Sequence, residues 1–137
     1  MAKWALAIAC LAVAGRTAAA SPSITTSDVR STSELRAGST EVISHDLGAR
    51  LAKARCTGCH VDASVTKLVA EKSDAGTTVS ADIHFTITDE HGVVISMLAG
   101  CSRATARREK LVALRDEALL GAIENASPKV ARLLSKQ

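Results

Sequence analysis

The sequence predicts an α+β domain: an antiparallel β-meander packed by helices. Three observations carry this. Residues 77–88 alternate strictly, with Thr77, Val79, Ala81, Ile83, Phe85 and Ile87 on one face and Thr78, Ser80, Asp82, His84, Thr86 and Thr88 on the other. That is the two-residue period of a strand with one wet side. Residues 61–69 and 93–101 flank it as further strand-like runs. Beyond them, Leu111, Leu114, Ala118, Leu119, Ala122, Ile123 and Ala126 recur at the spacing of an amphipathic helix.

Taken in order, residues 1–20 read as a secretory signal peptide. Lys3 supplies a positive start, Trp4 to Ala14 an apolar stretch, and Thr17-Ala18-Ala19-Ala20 small residues before a cleavage point. Lipidation at Cys10 is the alternative, but it leaves about half a normal apolar stretch ahead of the cysteine. Residues 21–41 are rich in Ser and Thr, with Ile24, Val29 and Leu35 too sparse to define a face. They read as a polar linker or arm with one possible edge strand, ahead of a single domain over 42–137.

Ser44 or Asp46 can cap a helix over about 46–56, with Leu47, Leu51 and Ala54 inward and Arg50, Lys53 and Arg55 at its negative end. Val61, Ala63 and Val65 then alternate with Asp62, Ser64 and Thr66. Ser73-Asp74-Ala75-Gly76 reads as a turn, and Asp89-Glu90-His91-Gly92 as a type I turn entering a glycine bulge. A long helix over about 105–126 starts with the basic run Arg103, Arg107, Arg108 and Lys110. It carries Arg108, Glu109, Arg115, Asp116 and Glu124 on its polar side. Ser127-Pro128 breaks it and starts a terminal helix over 128–136.

Composition excludes several functions. The chain has 17 Lys and Arg against 14 Asp and Glu; without Lys3 and Arg16 of the leader, 15 face 14, a formal charge of +1. No nucleic-acid footprint is expected at that balance. Once Trp4 is removed, Phe85 is the one aromatic residue, so no stacking platform for bases can be built. No segment after the leader reads as membrane-spanning. No nucleophile elbow, phosphate loop or catalytic carboxylate pair is present, and no enzymatic activity is expected.

The one sharp chemical signal is Cys56-Thr57-Gly58-Cys59-His60, the C-x-x-C-H attachment motif of c-type haem. The stretch Gly48-Ala49-Arg50-Leu51-Ala52-Lys53-Ala54-Arg55-Cys56 leading into it resembles the N-terminal helix of class I cytochromes c, and the resemblance covers residues 48–60. It implies thioether bonds at Cys56 and Cys59, His60 as axial iron ligand and, more weakly, Met97 as the second. Against it, 61–101 alternates like a sheet where that family is helical, and Met97 is followed by Leu98 rather than proline.

Other uses of the cysteines are a Cys56–Cys59 disulfide, structural or redox-active, and zinc held by Cys56, Cys59, His60 and Cys101. A Cys59–Cys101 bridge is excluded in a simple meander, where two strand spacings of about 9.6 Å exceed the roughly 7 Å reach of a disulfide. The alternative to all of these is a helix-to-strand junction. Cys59 then falls in step with buried Val61 and Ala63, and His60 with Asp62 and Ser64 on the polar face. His84 and His91 read as solvated, and the basic run as a solvated face or a contact for an acidic partner or anionic surface.

Residues 61–126 resemble, in element order, small exported α+β accessory domains of bacterial envelope proteins, including penicillin-binding-protein activator lipoproteins. The resemblance implies a non-catalytic periplasmic or secreted module that binds an unknown envelope protein or anionic surface, with no cofactor. The rival is a monohaem c-type cytochrome carrying electrons through Cys56, Cys59 and His60.

Overall fold

The computed structural model describes residues 20–137. The signal-peptide reading of 1–20, including Cys10, falls outside these residues but for Ala20. Four strands, β1 (Ser23–Val29), β2 (His60–Ser73), β3 (Gly76–Thr88) and β4 (Val94–Ala106), form one sheet in the order β1-β2-β3-β4. Helices α1 (Ser33–Arg36) and α2 (Ser39–Arg50) connect β1 to β2, and α3 (Leu111–Ser135) closes the chain. β2, β3 and β4 pair antiparallel, the expected meander, while β1 adds to β2 in parallel. A parallel pair needs a crossover connection, and α1 and α2 supply it.

The helices lie on one face of the sheet: α2 packs on β1 and α3, and α3 on β3 and β4. The core between the layers takes Val61, Ala63, Val65 and Leu68 from β2, Val79 through Ile87 in alternation from β3, and Ile43, Leu47, Leu114, Leu119, Ile123, Val130 and Leu134 from the helices. The other face stays open to water. It carries Thr25, His60, Asp62, Ser64, His84, Thr86, Met97, Cys101 and Arg103.

Several boundaries differ from expectation, each for a physical reason. The first long helix runs 39–50 rather than 46–56. Its seam is Leu35, Ser39, Ile43, Leu47 and Leu51, all buried and four apart, so the segment read as a polar arm belongs to the domain core. Ser39 Oγ donates to Leu35 O at 2.6 Å, which lets a polar residue sit in that seam.

β2 extends to Ser73 because a one-residue bulge at Thr66 resets the period. Leu68 then turns inward in place of Lys67. β4 runs to Ala106 rather than 101, since its pairing with β3 continues to Thr77 and Ala104 is buried. The basic run therefore does not open the helix: Arg103 lies in β4, Arg107 and Arg108 in the connection, and Lys110 at the cap of α3.

The last helix is continuous through Pro128. The proline removes a hydrogen bond to the exposed turn at Glu124, where water can replace it, and the buried stripe simply continues as Ala126, Val130 and Leu134. Arg115, expected on the polar side, is buried. Its guanidinium donates to Asp116 Oδ1 at 2.6 and 2.9 Å and to the carbonyl oxygens of Leu35 and Ala37, tying α3 to the α1–α2 corner. The β3–β4 turn is as expected: Asp89 Oδ1 accepts from the His91 and Val93 amides, and Gly92 takes φ +78°.

Candidate functional site: the Cys56–His60 loop

The motif sits where the connection after α2 enters β2. Cys56 and Cys59 form a disulfide with Cα atoms 5.4 Å apart, and both are nearly inaccessible, at 5 % and 2 % exposure. Gly58 takes φ +77°, which lets the short loop turn back on itself.

Each member of the motif except Gly58 holds part of residues 20–25. The Cys56 amide donates to Ala20 O at 3.1 Å, and the Ala20 amide donates to Thr57 Oγ1 at 3.3 Å. Cys59 O accepts from the Ser23 amide at 3.0 Å, beginning the β1–β2 pairing. His60 is gripped through both ring nitrogens, Nδ1 at 2.6 Å from Ser23 Oγ and Nε2 at 2.8 Å from Thr25 Oγ1.

Donor accounting fixes the direction of that last pair. Thr25 Oγ1 gives its one proton to Asp62 Oδ1 at 2.6 Å, so it can only accept from His60 Nε2–H. Ser23 Oγ, which also reaches Cys59 O at 3.4 Å, is the partner of Nδ1. Ser27 Oγ donates to the other oxygen of Asp62 at 2.6 Å, so a chain of hydroxyls, one imidazole and one carboxylate stitches β1 to β2 on the open face.

These residues are not arranged to hold haem. The sulfurs are joined to each other and turned into the core, and neither ring nitrogen of His60 is free for iron. Met97 stands opposite Thr86, itself opposite Asp62, so Met97 and His60 project from the same sheet face. The zinc set does not converge either: Cys101 lies on β4, beyond β3, on the exposed face. Among the described residues no three His, Cys, Asp or Glu side chains gather to hold a metal ion. Order β2-β3-β4 also keeps Cys59 and Cys101 apart, as the meander required.

A cleft of about 370 Å³ opens beside the loop, against the β3–β4 turn and the chain end, lined by Arg55, Thr57, Asp89, Glu90, His91 and Gln137. Gly58 forms part of this junction, because a Cβ there would come 2.6 Å from Glu90 Cβ and 3.1 Å from its Cα. Gly58→Ala combines that clash with a left-handed backbone costing about 1–2 kcal/mol for an L residue. Urea unfolding is expected to show a stability lowered by that amount or more, with faster amide exchange at residues 20–25 than elsewhere in the sheet.

Among the described residues Cys101 is the free thiol, exposed on β4 opposite Asp82. Partial desolvation against the sheet, then the Asp82 carboxylate, raise its pKa above the ordinary thiol value, with Lys67 acting in the other direction. A raised pKa means less thiolate at a given pH and slower alkylation. Asp82→Asn is expected to speed iodoacetamide labelling of Cys101 near pH 8 and to move its rate–pH midpoint downward; an unchanged profile would remove Asp82 from the account.

Sequence reasoning placed Cys59 and His60 on their proper faces but missed what His60 holds. The hydroxyls of Ser23, Thr25 and Ser27, at alternate positions of the polar arm, were the available signal.

No family model matches the chain, and no curated protein sequence is a significant match. Solved structures do share its shape. A protein of Caulobacter crescentus CB15, provisionally assigned as a lipoprotein, superposes with a TM-score of 0.51 at 13 % identity, over 82 % of this chain and 88 % of that one. A PelC dodecamer from Paraburkholderia phytofirmans, a single-substitution variant of that protein, gives 0.54 at 10 % identity, over 79 % and 88 %. The likeness is one of fold. It agrees with the element-order resemblance to bacterial accessory domains and adds no shared site.

Proposed function

We propose that the chain is an exported, non-catalytic α+β domain, periplasmic or secreted, that acts by binding another component of the bacterial envelope. The observation that carries the reading is the internal use of its one chemically suggestive motif: Cys59 and His60 hold the N-terminal strand, and Cys56 and Thr57 hold Ala20 just before it. No cofactor and no catalytic step belong to this reading.

Support comes from three further points. The first 20 residues read as an export signal, and a disulfide suits an oxidising compartment. The fold is shared with a protein assigned as a lipoprotein and with PelC, whose structure is a dodecamer, so in one neighbour at least it serves assembly. Among the described residues no helix is long and apolar enough to cross a membrane.

The test is fractionation of the native host with N-terminal sequencing and in-cell cross-linking. The reading expects a chain beginning near Ser21 in the envelope or external fraction, cross-linked to a discrete envelope component. A blocked, acylated Cys10 would retain the envelope and change the mode of attachment. An intact leader on a cytosolic chain would overturn the reading.

A further inference from the structure

The two edges of the sheet are built differently. β1 follows Pro22, spans seven residues, is bulged at Ser27 and carries Asp28. Those are the devices that stop an edge from recruiting another strand. β4 spans 13 residues and, after an early bulge at Ile95, runs without interruption and without proline.

α3 covers only the second half of that edge. There Gly100 lies against Ala122, and Asn125 Nδ2 donates to Cys101 O. Along the first half the helix stands off and leaves a groove of about 290 Å³, lined by Ser96, Leu98, Lys129, Arg132, Leu133 and Lys136. Leu98 and Leu133 are half-buried, while Val94 and Met97, on the other face of the same strand, are 52 % and 66 % exposed. None of the three cations is in an ion pair among the described residues.

Each feature selects part of an occupant. Free main-chain groups at a strand edge recognise an extended polypeptide and offer nothing to a lipid. The two leucines take apolar side chains at alternate positions, and three cations call for carboxylates. The negative end of the α3 dipole accounts for basic residues there, but not for the apolar groove or the uncovered edge.

Resting on the binding role proposed above, we propose that the first half of β4 and the C-terminal turns of α3 receive an extended acidic segment of another envelope protein, added to the sheet as a fifth strand. Lys129, Arg132 and Lys136 pair with its carboxylates, and Leu98 and Leu133 take its apolar side chains.

The test is an NMR titration of the purified mature chain with a synthetic peptide of alternating valine and glutamate, and with its valine–lysine counterpart. The acidic peptide is expected to shift the Ser96–Ala99 and Lys129–Lys136 amides and to slow exchange at Met97 and Ala99. Lys129→Glu with Arg132→Glu, both exposed and so compatible with the fold, is expected to weaken binding about tenfold, and added salt to weaken it further.

Equal binding of the lysine peptide, shifts confined to β1, or no shifts at millimolar peptide would overturn the proposal. Two controls do the same. Concentration-dependent shifts of these amides without peptide would assign the groove to a second copy. Binding of phosphatidylglycerol vesicles through the same cations, in the absence of peptide binding, would assign it to a membrane surface. Failure here leaves the export reading standing, because fractionation and N-terminal sequencing test that separately.

Discussion

Phe85→Ala is expected to cost about 3–5 kcal/mol, a large part of the roughly 5–15 kcal/mol that holds a domain of this size folded. The sequence has a single phenylalanine, and Phe85 is fully buried at the centre of β3. It faces α3 from between Ala63 on β2 and Leu98 on β4, so no neighbouring ring can collapse into the space it leaves. Urea unfolding followed by circular dichroism should show the midpoint falling with little change in slope. A cost below about 1 kcal/mol would mean that the sheet and α3 can close over the cavity, against the packing described here.

Gly100→Ala is the second large effect, and its cause is the opposite one. A Cβ at Gly100 would overlap the Ala122 carbonyl oxygen and lie 3.0 Å from its carbon and 3.3 Å from Ala126 Cβ. Two of those atoms belong to helix backbone, so relief requires α3 to lift off β4. Gly121 makes the reciprocal approach, with Ser102 Cβ at 2.8 Å from the Cβ it would carry. A loss of about 3 kcal/mol is expected, the upper end for adding one methyl to a filled seam, with a melting temperature lower by roughly 10 °C. Ala99→Ser, one residue away and exposed, serves as the control and should cost under about 1 kcal/mol.

These two positions mark what a single sequence makes legible. The alternation around Phe85 displayed the strand, its buried face and its turns, because burial on one side of a sheet imposes period two directly on the residue types. The three-stranded meander and the class of fold followed from it. The close approach at Gly100 did not, since a glycine in a strand pattern signals a neighbour without naming it.

The edge strand β1 was harder still. Ile24 and Val29 are too few to announce a strand, and what fixes the segment to β2 is polar: Ser23, Thr25 and Ser27 reaching His60 and Asp62. Hydrophobic periodicity carries no information about such a seam. Nor did it show Arg115 buried, because the carbonyls of Leu35 and Ala37 that accept its protons come from about eighty residues away.

The five-residue motif shows the same division. Its spacing alone announces haem, while its phase with the following strand puts Cys59 inward and His60 on the polar face, where the structure has them. What no pattern could supply was the other half of each contact. Residues 20–25 bond to Cys56, Thr57, Cys59 and His60, and a motif that reads as an attachment site for a cofactor serves to fasten the start of the domain.

That claim is open to one direct measurement: the intact mass of the protein purified from its native compartment, taken with its visible spectrum. The account predicts a mass lighter than the reduced polypeptide by the two hydrogens of the Cys56–Cys59 disulfide, and no Soret band. A mass raised by one covalently bound haem, with a Soret absorbance, would contradict it.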